Sequence, residues 1–370
     1  MKFTIDSDGL AKRVKLLSKV ANNNTIPILN NLLIEVSDNN LVITASDSEN
    51  TLKTEVPVEA EGNLQKVCVD ARTVVDALAN ISQQPITFTF EDNKVSLKYQ
   101  NGEFNFACIN AEEYPTTYTL TENETTALIP ASILVENISR CIPFLAKDEI
   151  RPVLNCMFFD IQEENTFVVA SDGSSLMKNT LHVKCDKPFS FILPIKPATL
   201  LKNIFGNVSK MISIRTNDTY AEFKADEWNL TCRLQEGRYP NYECVIPKNY
   251  HTRATIDKKA MVNAFKRVQP MANQASQQVK LYFNEGMVEI SANDVDFATS
   301  AKENLTCDYD GEQLAIGVKG SRVLEILELM TGEMVNIDLE DCARPLLISP
   351  LEEQENQQIL ALQMPMLLVD

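Results

Sequence analysis

"LLIEVSDNNLVITASD" (residues 32–47) reads as an alternating strand, a polar turn and a second alternating strand that closes on Ser-Asp. The same arrangement returns as "MFFDIQEENTFVVASD" (157–172) and as "LYFNEGMVEISAND" (281–294), where Asn replaces Ser before the last Asp. The closing aspartates, Asp47, Asp172 and Asp294, lie 125 and 122 residues apart. A repeat of that length is the size of a domain, so the chain divides into three copies of one unit.

The neighbours of each hairpin repeat in the same order. A strand and a helix precede it: "MKFTID" with "DGLAKRVKLLSKVA" (8–21), "TALI" with the helix at 130–147, and "RATI" with the helix at 257–273. A second strand and helix follow: "KVCVDARTVVDALANIS", "FSFILPIKPATLLKNIFG" and "QLAIGVKGSRVLEILELMTG". Further strands such as "PITFTFEDNKVSLKYQNGEFNFACI" complete each copy. The expectation is an α+β chain of three domains, 1–125, 126–250 and 251–370, each with two helices on antiparallel sheets. Candidate joints fall at 116–126 and 247–253.

At 370 residues, 44% of them hydrophobic and 23% charged, the chain is globular and too long for one ordinary core. It has no apolar run near the roughly 20 residues of a spanning helix, and "MKFTIDSDGL" lacks a signal-peptide core, so a cytoplasmic protein without a membrane partner is expected. Nine cysteines without a CxxC pair, and two histidines, argue against disulfides or a zinc site.

The net charge of −17 argues against a nucleic-acid partner until its distribution is examined. In the first helix Leu10, Val14, Leu17 and Ala21 share one face and Lys12, Lys15 and Lys19 the opposite one. The third copy repeats this, with Met261, Phe265, Val268 and Ala272 inward and Lys259, Asn263 and Lys266 outward. In the second, Leu134, Ile138, Cys141 and Leu145 face in, Arg140 and Lys147 lie opposite with Glu136 on their side, and the stretch at 194–210 adds Lys196 and Lys202. The six helical stretches together carry +9, which leaves −26 elsewhere. A solvated face accounts for any single helix. If the copies curve with helices inside, these nine basic residues line a concave wall that attracts a phosphate backbone without reading bases.

Catalytic patterns are missing: no GxxxxGK[ST] loop, GxSxG elbow or HExxH helix is present, so no catalytic residue or cofactor is expected. His182 and His251 have no ligand cluster around them. Asp47, Asp172 and Asp294 end strands of separate copies, where an aspartate satisfies turn donors, and are read as structural. A scaffold of the same repeats without DNA, or an enzyme with an unrecognised carboxylate site, remains the alternative.

The chain resembles the bacterial DNA polymerase III beta subunit, the sliding clamp. The resemblance is carried by "MKFTI", "IPILNNLLIEV" (26–36), "RPVLN" (151–155), "VVASDG" (168–173), "GRYPNYECVIP" (237–247) and the terminal "MPM" (364–366), in order over the whole chain. It implies a head-to-tail homodimeric ring around duplex DNA, with helices lining the hole and sheets outside. It also implies a non-catalytic processivity role, loading by an ATP-driven clamp loader, and partners that include the polymerase III alpha subunit and other clamp-motif proteins. The location implied is the cytoplasm, at the nucleoid during replication.

Carried over by position, the family's partner pocket comprises Leu154, Ser171, Gly173, Ser174, Leu176, Pro240, Val245, Arg322, Ala343, Pro345, Met364, Pro365 and Met366. Met-rich walls suit a promiscuous site because unbranched thioethers repack around different ligands. "GEFNFACI" offers Phe104 and Phe106 as an edge strand for the dimer, and the resemblance implies that Pro270 and Met271 pack near them. There are departures from the family pattern. Ser174 and Ser175 stand where many members have His-Arg, "NNN" at 22–24 lacks an arginine, Leu367 replaces a basic residue, and Val369 and Asp370 extend the end.

Overall fold

The computed structural model describes residues 1–368 apart from 23, 38, 63–64, 92, 121–124, 149, 207 and 249. Part of the Asn-rich loop at 22–24, parts of both expected joints, and the terminal Val369 and Asp370 therefore lie outside the described residues.

Six helices are present among those residues: α1 (Ser7–Leu17), α2 (Ala71–Leu78), α3 (Ala131–Cys141), α4 (Ile195–Phe205), α5 (Lys258–Val268) and α6 (Gly320–Leu329). Each follows directly on a strand, and the junction residue explains the switch. Asp6, Asp70 and Asp257 cap α1, α2 and α5 by accepting from the N–H three residues on, at 3.0, 2.7 and 2.6 Å. The central copy uses Pro130 and Pro194 at the same point, where a fixed φ and a missing N–H end the strand.

The stretches expected from sequence overrun every helix, and three of the ends show why. Residues 142–144 and 269–271 are 3₁₀ turns, each with a proline, Pro143 or Pro270, at its start. Helix α1 stops at Leu17, and Val20 and Ala21 are buried in the turn after it. The apolar faces are as expected: Leu10, Val14 and Leu17, Leu134 and Ile138, and Met261 and Phe265 are all buried.

Compactness groups the chain into two units. One unit is Met1–Glu136 with Lys196–Gln235, and the other is Asn137–Ile195 with Glu236–Asp370. The first holds a thirteen-stranded antiparallel sheet, the second an eight-stranded and a four-stranded sheet. In the first, Phe3 stacks on Phe88, its cross-strand partner, at 5.0 Å, a buried aromatic pair of about 1 kcal/mol beyond its burial.

The division cuts across the repeats because neighbouring copies share sheets. Strand Asn50–Pro57, which returns from the Asp47 turn, pairs with Trp228–Arg233 of the central copy. Strand Ser175–Leu181, which returns from the Asp172 turn, pairs with Gln357–Gln363 of the third copy. The registers agree. Asn50, three residues past Asp47, lies opposite Cys232, and Ser175, three past Asp172, lies opposite Gln363. Cys232 and Gln363 are equivalent positions, because their strands follow equivalent hairpin partners, Ala221 and Leu346.

Among the described residues the third hairpin has no such neighbour. Its return strand, Thr299–Thr306, is the edge of the four-stranded sheet and among the described residues pairs only with Met287–Asp294. The strand equivalent to 228–233 and 357–363 in the first copy is Gly102–Asn110. Among the described residues its segment 102–107 pairs only with Lys94–Tyr99.

Candidate functional site

The pocket residues carried over from the resemblance all fall in the second unit. Leu154 and Leu176 belong to one buried cluster with Tyr239, Tyr242, Leu347 and Leu362. Strand pairing places them there: Leu176 lies opposite Leu362, and Leu362 opposite Leu347. Pro345 precedes that strand, and Pro240 and the half-exposed Val245 flank the Tyr242 turn. Ala343 lies in an exposed turn closed by Asp341, whose carboxylate accepts from the Ala343 and Arg344 N–H groups at 2.7 and 2.8 Å.

The methionine tail is held by its backbone, which leaves its side chains on the surface. Met364 N–H donates to the Ser174 carbonyl at 2.9 Å and Met366 N–H to the Gly317 carbonyl at 2.8 Å. Gln278 Nε2 donates to the Leu367 carbonyl at 2.6 Å. Met364 is 40% exposed and Leu367 91% exposed, a large apolar area on the surface. Gly317 was not singled out by sequence, although a glycine inside a strand signals a close backbone approach. A Cβ there would sit 2.6 Å from the Met366 carbonyl oxygen, so only glycine lets the tail dock.

The rim is built on Asp172. Its Oδ1 accepts from the Ser174 and Ser175 N–H groups at 2.8 and 2.7 Å and from the Ser174 hydroxyl, and its Oδ2 meets Arg322 Nη2 at 2.8 Å. The two serines found in place of His-Arg thus complete this turn. Arg322 also donates to the Pro143 carbonyl at 2.9 Å and to Glu325, and lies over the Phe144 ring, so it braces the rim from below. Gly173, at φ +88, presses against Arg151, where a Cβ would lie 2.4 Å from Nη1.

Burial alone would raise the Asp172 carboxyl, but the serine donors and Arg322 hold it below the usual carboxylate range. A depressed folded value stabilises above the unfolded value near 3.9, and the gain is lost as pH falls through the folded one. Asp172→Asn is therefore expected to cost about 1–3 kcal/mol at pH 7 and to flatten the loss of stability as pH falls below about 4. Denaturant unfolding across that range checks it; an unchanged slope contradicts the assignment.

Of the nine expected DNA-facing residues, Lys12, Lys15, Lys19, Lys147, Lys196, Lys202, Lys259 and Lys266 are exposed. Lys19 lies in the turn after α1 and Lys147 beyond the 3₁₀ turn after α3. Lys12 pairs with Asp8 at 2.6 Å, Lys266 with Glu328 at 2.7 Å, and Lys196 with the nearly buried Asp47 at 2.5 Å. Arg140 is a correction. It is 4% exposed and its Nη1 donates to Gln357 Oε1 at 3.1 Å, so the strand Gln357–Gln363 covers the helix face that the wheel left open. It cannot meet a phosphate.

Phe104 is 38% exposed and stacks on Tyr99 at 5.6 Å, and Phe106 is half-buried on the same strand. Pro270 and Met271 are exposed beside Thr299, whose hydroxyl donates to the Met271 carbonyl at 3.4 Å. These four residues lie along the two unpaired strand edges.

Asp47, Asp172 and Asp294 prove to be one device used three times. Each carboxylate accepts from the backbone N–H groups two and three residues on: Glu49 and Asn50, Ser174 and Ser175, Asp296 and Phe297. No group of three or more potential metal ligands occurs among the described residues, and no described helix is long and apolar enough to cross a membrane.

Three copies of a two-helix, antiparallel-sheet unit, joined edge to edge, define a protein of the DNA-clamp class. The family pattern of the DNA polymerase III beta subunit matches throughout: its N-terminal domain at residues 1–119, its central domain at 128–241 and its C-terminal domain at 243–367. The beta sliding clamp of Pseudomonas putida is 27% identical over 370 residues, covering 99% of this chain and 100% of that protein. The Bacillus subtilis beta sliding clamp is 26% identical, covering 97% and 99%. The crystal structure of the Pseudomonas aeruginosa DNA polymerase sliding clamp superposes with a TM-score of 0.93 at 25% identity, covering both chains fully. The chain belongs to the DNA polymerase III beta subunit family, the bacterial sliding clamps, and is a non-catalytic processivity factor.

Proposed function

We propose that two copies of this chain close head to tail into a ring around double-stranded DNA, and that the methionine-lined pocket holds the replicative polymerase on it. The carrying observation is the unfinished third junction. Two internal junctions share one register, and the strands that would make a third are each left with an open edge. Thr299 faces Asp294 across a longer turn, as Asn50 faces Asp47 and Ser175 faces Asp172, so extending that register places Thr299, Ser300, Ala301 and Lys302 of one chain opposite Phe106, Asn105, Phe104 and Glu103 of the other.

The side chains favour this match. Phe104 and Phe106 meet small residues on one face, Lys302 meets Glu103 on the other, and Met271 stands beside Thr299, next to Phe106. A slip of one residue one way would set Lys302 against Phe104 and Glu303 against Glu103. The copies themselves are taken as 1–125, 126–250 and 251–370.

The exposed helix lysines neutralise phosphates wherever they fall along the duplex, so contacts can be exchanged while the ring slides. A polymerase tethered to a ring keeps its primer end at high effective concentration and rebinds instead of diffusing away. Its alpha subunit, a clamp loader with its own ATPase, and repair proteins carrying short apolar motifs would share the pocket. The setting is the cytoplasm, at the nucleoid during replication.

The test is retention. Once loaded, the protein is expected to stay on circular duplex DNA and to leave it on linearisation; equal retention on both contradicts the ring and favours a scaffold or an ordinary DNA-binding surface.

A further inference from the structure

The first unit contains a cleft of about 470 Å³ at the position that corresponds, copy for copy, to the methionine-lined pocket of the second. Thr51 lies opposite Thr231 as Leu176 lies opposite Leu362. "PILN" at 27–30 and "PVLN" at 152–155 form matching 3₁₀ turns. Leu29 shares a buried cluster with Tyr114 as Leu154 does with Tyr239, and a proline follows each tyrosine. Ser48, at φ 78, occupies the left-handed turn position that Gly173 fills in the other copy.

The linings differ in chemistry. Where the second unit has Leu176, Leu362 and Pro345, the first has Thr51, Thr231 and Tyr220. Thr51 and Thr231 are buried hydroxyl residues, and Thr51 Oγ1 lies 3.2 Å from the buried Ser46 Oγ. Tyr118 stacks on Tyr220 at 3.9 Å and 14°, keeps 41% of its surface exposed, and is fixed by Asn217 Nδ2 donating to its hydroxyl at 2.8 Å. Glu49 is exposed on the rim, and its carboxylate has no hydrogen bond or ion pair among the described residues.

We propose that this cleft is a second docking site, for an extended peptide segment that presents an arginine. The inference rests on reading the methionine-lined counterpart as a peptide pocket. A guanidinium offers five donors in a plane, which hydroxyl oxygens and the Glu49 carboxylate can accept, and its flat face stacks on an exposed tyrosine ring. An apolar side chain there would meet threonine hydroxyls where the other pocket offers leucines, and a phosphate would face Glu49. The two clefts thus divide partners by chemistry, apolar motifs to one and arginine-bearing segments to the other.

Fluorescence anisotropy on the full chain tests this with three labelled probes: Gly-Ser-Arg-Ser-Gly, the same peptide with Ala for Arg, and the apolar Gly-Leu-Phe-Leu-Gly. The arginine probe is expected to bind about tenfold tighter than the alanine probe. Tyr118→Ala and Glu49→Gln should each remove about tenfold of that affinity, and Met364→Ala with Met366→Ala should leave it unchanged. Equal binding of the arginine and alanine probes overturns the proposal, as does tighter binding of a phosphoserine version of the first peptide. Loss of arginine-probe binding in the methionine variant but not in Glu49→Gln overturns it too. An apolar probe indifferent to the methionine variant counts against the methionine pocket alone and is read separately.

Discussion

Phe104→Asp is expected to turn the dimer into a monomer at micromolar concentration. The open edge at 102–107 pairs on one side only, and Phe104 is its exposed apolar residue, facing Ala301 of the second chain in the register that both internal junctions use. Truncating one central anchor of an interface commonly costs about 2 kcal/mol or more, and a carboxylate placed there adds an unpaired, desolvated charge. Since 1.4 kcal/mol is tenfold, dissociation should strengthen by well over about thirtyfold. Charge pairs alone would do less: Lys302 opposite Glu103 is solvent-exposed and is worth about 0.2–1 kcal/mol, so it serves register more than affinity. Sedimentation equilibrium of Phe104→Asp reads the result, with Phe106→Asp as a second variant on the same edge. Because the strand's own partner, Lys94–Tyr99, lies within the chain, the secondary structure should be retained. An unchanged dimer in both variants contradicts this edge.

Met364→Ala with Met366→Ala is expected to abolish stimulation of the polymerase while the dimer persists. Both side chains stand on a tail whose backbone is fixed to the Ser174 and Gly317 carbonyls, so truncation removes surface without releasing the segment. Two flexible thioethers on a partly exposed wall are anchors for an apolar motif, and losing them should weaken that partner by about thirtyfold or more. Primer extension on a circular template measures it, with sedimentation as the control on assembly. Unchanged extension refutes the pocket assignment.

Local features were legible in the sequence. Alternation and closing aspartates gave the three hairpins, and the helix wheel gave the apolar faces, because both depend on residues close in the chain. Non-local pairing was not. Arg140 sits on the polar side of its wheel, yet its acceptor, Gln357, is 217 residues away and buries it. The two-unit division has the same origin, since the strands that tie copies together, 50–57 with 228–233 and 175–181 with 357–363, are far apart in sequence. Pocket residues such as Leu154 and Pro345 came from family resemblance, and nothing in composition marks them. The hydroxyl-lined cleft escaped notice because Tyr118 and Tyr220 meet only after folding.

The greasy terminus, "LALQMPMLLVD", divides accordingly. Its first residues complete the strand Gln357–Gln363, with Ala361 and Leu362 buried, whereas Met364 and Leu367 are presented outward by backbone hydrogen bonds.

Ring closure is the central claim, and retention of a locked ring tests it most directly. In the proposed register Ser300 faces Asn105 of the other chain, and opposed residues of an antiparallel pair have Cα atoms about 4.5–5.5 Å apart, within disulfide reach. Ser300→Cys with Asn105→Cys, in a background where the exposed Cys244 and Cys342 are serine, should cross-link into covalent dimers when oxidised after loading. Those dimers are predicted to stay on circular duplex DNA through high salt and to leave on linearisation. Failure to cross-link, or equal retention on linear DNA, would contradict the account.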